Sequence, residues 1–167
     1  MDLTPYLGWI VFLHVVGAFV FAAGHGVSML VAFRLRRETD RARMAALLDV
    51  SAASLNVAGI GLLVLLVAGI VAGIVAGSFG RGWIWVSLVL FIVIGGLMTP
   101  VGGIYFNEVR LAIGLRTRNM KPTDPLPMAL PDGELATLLA TRRPEALLAI
   151  GGGGFVVIVW LMMFRPF

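Results

Sequence analysis

Apolar residues in this chain fall neither in alternation nor in narrow stripes. They form four long runs, Leu7 to Phe33, Val57 to Gly77, Trp83 to Phe106 and Leu147 to Phe164. Each is close to the roughly 20 residues a helix needs to cross a hydrocarbon core about 30 Å thick. The pattern predicts an all-α integral membrane protein, a four-transmembrane-helix bundle built as a single domain over residues 1–167. The link SFGRG between the second and third runs is so short that those helices are expected to be antiparallel neighbours. The connection over 34–56, RLRRETDRARMAALLDVSAAS through Asn56, is rich in helix formers and should extend the first two helices beyond the bilayer. The connection over 107–146 contains MKPTDPLPMALP, whose four prolines forbid regular structure. It then continues as PDGELATLLATRRP. There Asp132 can cap a short amphipathic helix with Leu135, Leu138 and Leu139 on one side, suited to the membrane surface.

Glycine placement adds packing information. In GIVAGIVAG, Gly69, Gly73 and Gly77 recur every fourth residue, a glycine zipper that lets another backbone approach closely. Its partner is a helix of the same chain or of a second copy. Pro100 in the third run, flanked by Gly95, Gly96, Gly102 and Gly103, predicts a kink. Four glycines, 151 to 154, open the last run, which reads as a packing element.

Composition fixes the class. Hydrophobic residues make up 59% of the chain and charged ones 13%, and the mean hydropathy is +0.98, outside the range of a water-soluble domain. The absence of cysteine excludes disulfides and thiolate chemistry. The first run lacks the basic start and cleavage site of a signal peptide and is expected to remain in the mature protein. Of the 13 Lys and Arg residues, 11 fall in the two long connections, leaving only Arg81 and Arg165 on the other side. The positive-inside rule then makes both basic connections cytoplasmic and both termini extracytoplasmic, in a bacterial inner membrane. Tyr6, Trp9, Trp83, Trp85, Trp160, Phe164 and Phe167 form an aromatic belt at the outer ends, in agreement. The net charge of +4 thus reflects topology and contact with anionic lipid, and no nucleic-acid partner is expected.

Candidate chemistry lies in HVVGAFVFAAGH, which holds both histidines of the chain. Eleven residues of helix bring His25 to within about 20° of His14, some ~16 Å farther along, so they share a face but not a ligand. That face also carries Gly17, Ala18, Phe21, Ser28, Met29 and Ala32, and should point into the protein. Gly24 and Gly26 flank His25 with no side chain to exclude a bulky group. Buried polar groups in a membrane mark function by default. The structural alternative is a hydrogen bond from each imidazole to a neighbouring helix, with Ser87 at the depth of His14 and Thr99 at that of His25. No other run offers an ionisable residue at mid-membrane, which leaves a proton relay or an ion-coupled transport site very few groups to use, and the lack of carboxylates excludes an oxygen-ligand metal site.

Imidazole assisted by thioether remains. One histidine in each half of the bilayer is how membrane cytochromes hold b-type haem, the site being five-coordinate, completed by Met98 near His25, or completed by a second protomer's histidines. Copper could instead use His25 with Met29 one turn on and Met98 across the interface, since Cu(I) accepts soft donors. Asn107, Glu108 and Arg110 stand at the end of the third run, where they could cluster with Asn56 or form an ordinary solvated helix end.

The stretch FLHVVGAFVFAAG, residues 12–24, resembles a first-helix signature, L-H-x-x-G-A-x-x-W-x-G-G. That signature marks small four-helix bacterial membrane proteins of unknown function related to the copper-resistance D (CopD) family. His14, Gly17, Ala18 and Gly24 match it, while Phe21 and Ala23 replace a tryptophan and a glycine. A similar start occurs in HemJ-type protoporphyrinogen oxidases, whose basic residue inside a later helix has no counterpart here. The resemblance implies a metal or haem connection. Three readings follow: a protein holding haem b at His14 and His25 for electron transfer or haem-linked redox chemistry, a copper-binding or copper-transporting protein, or a non-catalytic subunit or assembly factor of a membrane complex, with structural histidines.

Overall fold

The computed structural model describes residues 2–117 and 119–167. A 3-10 turn, Thr4–Tyr6, leads into α1 (Leu7–Leu35), followed by α2 (Arg41–Val75), a 3-10 turn (Ser78–Gly80) and α3 (Gly82–Ala112). After the proline-rich stretch come α4 (Asp132–Leu139), α5 (Arg143–Leu147), a π-helical turn (Leu148–Gly153) and α6 (Gly154–Phe164). There is no strand among the described residues. Four helical stretches are long and apolar enough to cross a membrane, Thr4–Leu35, Arg41–Val75, Gly82–Ala112 and the composite Asp132–Phe164. The protein is a four-helix membrane bundle.

The helices run well past the apolar runs. α2 begins at Arg41 because the Asp40 carboxylate accepts hydrogen bonds from the amides of Ala42 (2.8 Å) and Arg43 (3.4 Å), satisfying donors a helix start leaves free. Its 35 residues span roughly 50 Å, far more than a hydrocarbon core needs. α3 likewise continues to Ala112. The first connection therefore shrinks to residues 36–40, and the surplus lengths build a head at the basic end of the bundle. Val31, Ala32 and Leu35 of α1, Met44 and Leu48 of α2, and Tyr105, Val109 and Ala112 of α3 form its core. Leu135 and Leu139 of α4 complete that core, so the amphipathic helix buries its leucines against the bundle. Asp132 does not cap α4, since its carboxylate is taken by Arg41 at 2.6 Å and the cap position is Pro131.

Within the membrane part the helices pair. α1 and α2 meet along an antiparallel seam of small residues. A Cβ on Gly17 would lie 2.5 Å from the Leu65 amide nitrogen, one on Gly61 2.5 Å from that of Phe21, and one on Gly24 2.5 Å from the Ser54 carbonyl. Ser28 and Ser51 close the seam with a 2.7 Å hydroxyl–hydroxyl bond. Such backbone proximity is the main source of helix association where lipid competes for every apolar side chain. α3 pairs with the last stretch in the same antiparallel sense, Phe167 against Gly82, Gly154 against Ile94 and Leu147 against Gly102.

The short hairpin does not impose an extended α2–α3 contact. α2 packs chiefly on α1, and α3 on α5, α6 and the π turn. Nor do the three zipper glycines form one packing face. Gly69 receives the His14 ring, Gly73 receives the Phe79 ring, and Gly77 lies beyond the helix with φ +60°, a turn conformation glycine adopts without strain. α3 is helical through Pro100, with Thr99 Oγ1 bonded back to the Gly95 carbonyl at 2.9 Å. Phe19 (73% exposed), Ile92 (69%) and Met163 (75%) show how much apolar surface the bundle leaves outward, the condition of a lipid-facing exterior.

Candidate site at the two transmembrane histidines

Both histidines face neighbouring helices, but different ones. His14 packs into the gap left by Gly69 on α2, where a Cβ would come within 2.7 Å of its Nδ1. That nitrogen lies 2.8 Å from the Leu65 carbonyl oxygen. A carbonyl only accepts, so Nδ1 carries a proton, and in the neutral ring Nε2 then keeps its lone pair. The partner is a backbone atom of α2, not the expected Ser87. The hydroxyl of Ser87 donates to Trp83 O of its own helix at 2.8 Å.

His25 turns instead to the last stretch of the chain. A Cβ on Gly151 would lie 2.6 Å from its Nε2 and 3.0 Å from the Met98 methyl carbon, so Gly151, His25 and Met98 converge. Nε2 is buried and has no hydrogen-bond partner among the described residues. The hydroxyl expected to serve it, that of Thr99, bonds Gly95 instead. The ring stacks on Phe21, with centroids 5.6 Å apart and planes 10° from parallel, and Phe21 in turn meets Phe155 at 6.1 Å. A cavity of about 150 Å³ adjoins this cluster, lined by Phe21, His25, Gly26, Met29, Gly151 and Phe155 among others. The π-helical turn forms its far wall, a local widening of the helix that often accompanies functional sites.

The flanking glycines separate in role. Gly26 faces open space and lines the cavity, whereas Gly24 is consumed by the α1–α2 seam and gives no room to a ligand. Met29, 8% exposed, is another cavity-lining residue.

The donor set can be tested against the candidate groups. Among the described residues no three His, Cys, Asp or Glu side chains converge, so a metal at His25 must draw on thioether. Pockets for organic ligands of drug size run to roughly 300–1,000 Å³. The His25 cavity at about 150 Å³ does not fit a porphyrin plane, but it fits one soft ion. Around His14 the fit is of another kind. An imidazole whose Nδ1–H is held by a backbone carbonyl has the tautomer and the fixed orientation of a metal-ligating histidine.

Several charged groups of the basic end form ion pairs. Arg36 grips the Glu145 carboxylate with both terminal nitrogens and also reaches the Thr141 carbonyl. The Glu145 hydrogen bond raises the Arg36 pKa above its ordinary value. Arg143 pairs with Glu108, and Arg110 with Asp49 at 2.5 Å. Glu108 and Arg110 thus go to different elements, and neither of these pairs involves Asn56.

Two contributors to the His25 niche carry no special mark in the sequence read alone. Gly151 looks like helix packing, and Phe21 looks like a substituted motif position. The run of four glycines was the available signal, since it thins one helix wall where a side chain would otherwise reach His25.

No curated protein and no solved structure matches the chain. The model of a family described as predicted integral membrane proteins, DUF2269, matches residues 9–166, and the chain therefore belongs to that family.

Proposed function

We propose that this chain is a small bacterial inner-membrane protein that binds Cu(I) at His25, with the thioethers of Met98 and Met29 as soft co-ligands. Copper handling, by storage, relay or transport, would be its task. The basic head would stand in the cytoplasm and both termini outside, in keeping with the distribution of Lys and Arg. One observation carries the reading: the buried Nε2 of His25 has no partner, and the Met98 methyl lies beside the same glycine gap. An unpartnered buried polar atom costs about 1–3 kcal/mol, a cost that a ligand bound there would offset. Thioether donors select Cu(I) over harder ions. The likeness of residues 12–24 to proteins related to the copper-resistance D family points toward the same metal.

A second reading rests on His14. Its Nδ1–H···O=C bond leaves Nε2 free as an axial ligand, and haem b could bind there from the bilayer side or between two copies of the chain. Electron transfer would then be the function.

The full chain, purified in detergent under reducing conditions, should retain one Cu(I) per protein against a competing chelator. His25→Ala should lose it, Met98→Leu should weaken it, and His14→Ala should keep it. Equal copper in wild type and His25→Ala sinks the first reading. A Soret band present in wild type and absent in His14→Ala establishes the second. Neither ligand in any variant, with the fold intact, leaves a docking or assembly subunit with structural histidines.

A further inference from the structure

A second open cavity lies away from both histidines. A groove of about 470 Å³ opens beside α3 near the basic end, lined by Pro100, Val101, Ile104, Arg142, Arg143 and Ala146. Its chemistry is divided. Pro100, Val101 and Ile104 belong to the apolar run of a membrane-spanning helix, with Ile104 half exposed, while the two arginines stand together at the border with the head.

The ion pairs leave one charge over. Glu145 is held by Arg36 through both oxygens, and Glu108 is held by Arg143. Arg142 is exposed, and although its carbonyl accepts from the Ala146 amide, its guanidinium forms neither a hydrogen bond nor an ion pair among the described residues. Glu145, the carboxylate that feels its charge, is already engaged. Three guanidinium groups therefore face two carboxylates, and the unmatched one lines the groove. Glu108 lies one helical turn beyond Ile104, so the Arg143–Glu108 pair marks the groove's polar end.

We propose that this groove binds an anionic phospholipid, its phosphate at Arg142 and Arg143 and one acyl chain along Pro100, Val101 and Ile104. Basic pockets between transmembrane helices at the membrane border recognise such headgroups. A water-soluble acidic peptide would satisfy the arginines, but it would have to enter the bilayer to cover the apolar wall. A lipid already lies there. The site is independent of the copper and haem readings, since no lining residue is shared with either histidine's surroundings.

Native mass spectrometry of the delipidated full chain, titrated with phosphatidylglycerol or phosphatidylcholine, tests this. Wild type should retain one phosphatidylglycerol in preference to phosphatidylcholine. Arg142→Gln should reduce that retention about fivefold, the effect of one basic residue at a membrane surface. Ile104→Trp should reduce it by filling the groove without altering charge. Arg37→Gln, which removes an exposed charge that does not line the groove, should leave it unchanged. Equal retention of the two lipids, an Arg37→Gln loss as large as that of Arg142→Gln, or displacement by glycerol phosphate as effective as by intact lipid would overturn the proposal. If Arg142→Gln fails to fold, the headgroup comparison in wild type and the Ile104→Trp result decide.

Discussion

His14 and His25 occupy the same face of one helix, yet the protein treats them differently. The segment around His14 is closed: its imidazole fills a gap made by Gly69 and donates to a backbone carbonyl, and the adjoining seam brings backbone against backbone at Gly17, Gly24 and Gly61. The surroundings of His25 are looser, with a glycine wall, a stacked aromatic ring, two methionines nearby and a nitrogen left without a partner. The seam satisfies its polar atoms and the niche does not. Helix periodicity alone cannot distinguish them, because what differs is the neighbour each ring meets.

The contrast is tested most severely at the glycines beside His25. Gly24→Ala places a methyl 2.5 Å from the Ser54 carbonyl and should cost about 3 kcal/mol or more of bundle stability. Gly26→Ala meets no atom within 4 Å and should stabilise by up to about 1 kcal/mol through helix propensity. Thermal unfolding in detergent compares the pair directly, and similar losses in both would show that the two faces are equally tight.

Replacing the histidines themselves should give effects of opposite sign. In copper-free protein His25→Leu removes a buried unsatisfied nitrogen and should raise stability by about 1–2 kcal/mol. His14→Leu removes a satisfied interhelical bond and should lower it by about 0.6 kcal/mol, the typical worth of such bonds in a bilayer. A loss on His25→Leu greater than that on His14→Leu would reverse the comparison. Met98→Leu, a near-isosteric exchange, should cost less than about 1.5 kcal/mol. Its signature should be weakened Cu(I) retention with a nearly unchanged unfolding curve.

The four membrane helices were legible because apolar length is itself the physical requirement for crossing a bilayer. The head was not, because the residues that prolong α2, from Arg41 to Asn56, are charged or mixed, and only tertiary packing reveals that Met44 and Leu48 face a core. Capping was misplaced for a related reason: Asp40 precedes α2 and caps it, whereas Asp132 is the first residue of α4 and its carboxylate pairs with Arg41. Around His25, the sequence could not show that Gly24, read as room for a ligand, packs into the α1–α2 seam. It also named Ser87 and Thr99 as partners. Both hydroxyls bond within their own helix, and the true partner of His14, a main-chain carbonyl, has no side chain to betray it.

The pairing of α1 with α2 also bears on biosynthesis. These helices are consecutive in the chain, so their seam, including the bond from His14 to Leu65, can close as soon as both have left the ribosome and entered the membrane. Gly151 belongs to a stretch made later, after α3. Until that stretch docks, the face of His25 lacks its Gly151 wall, and docking completes the niche. On the copper reading, loading would then be a step of assembly, with the ion seated before the Gly151 wall arrives.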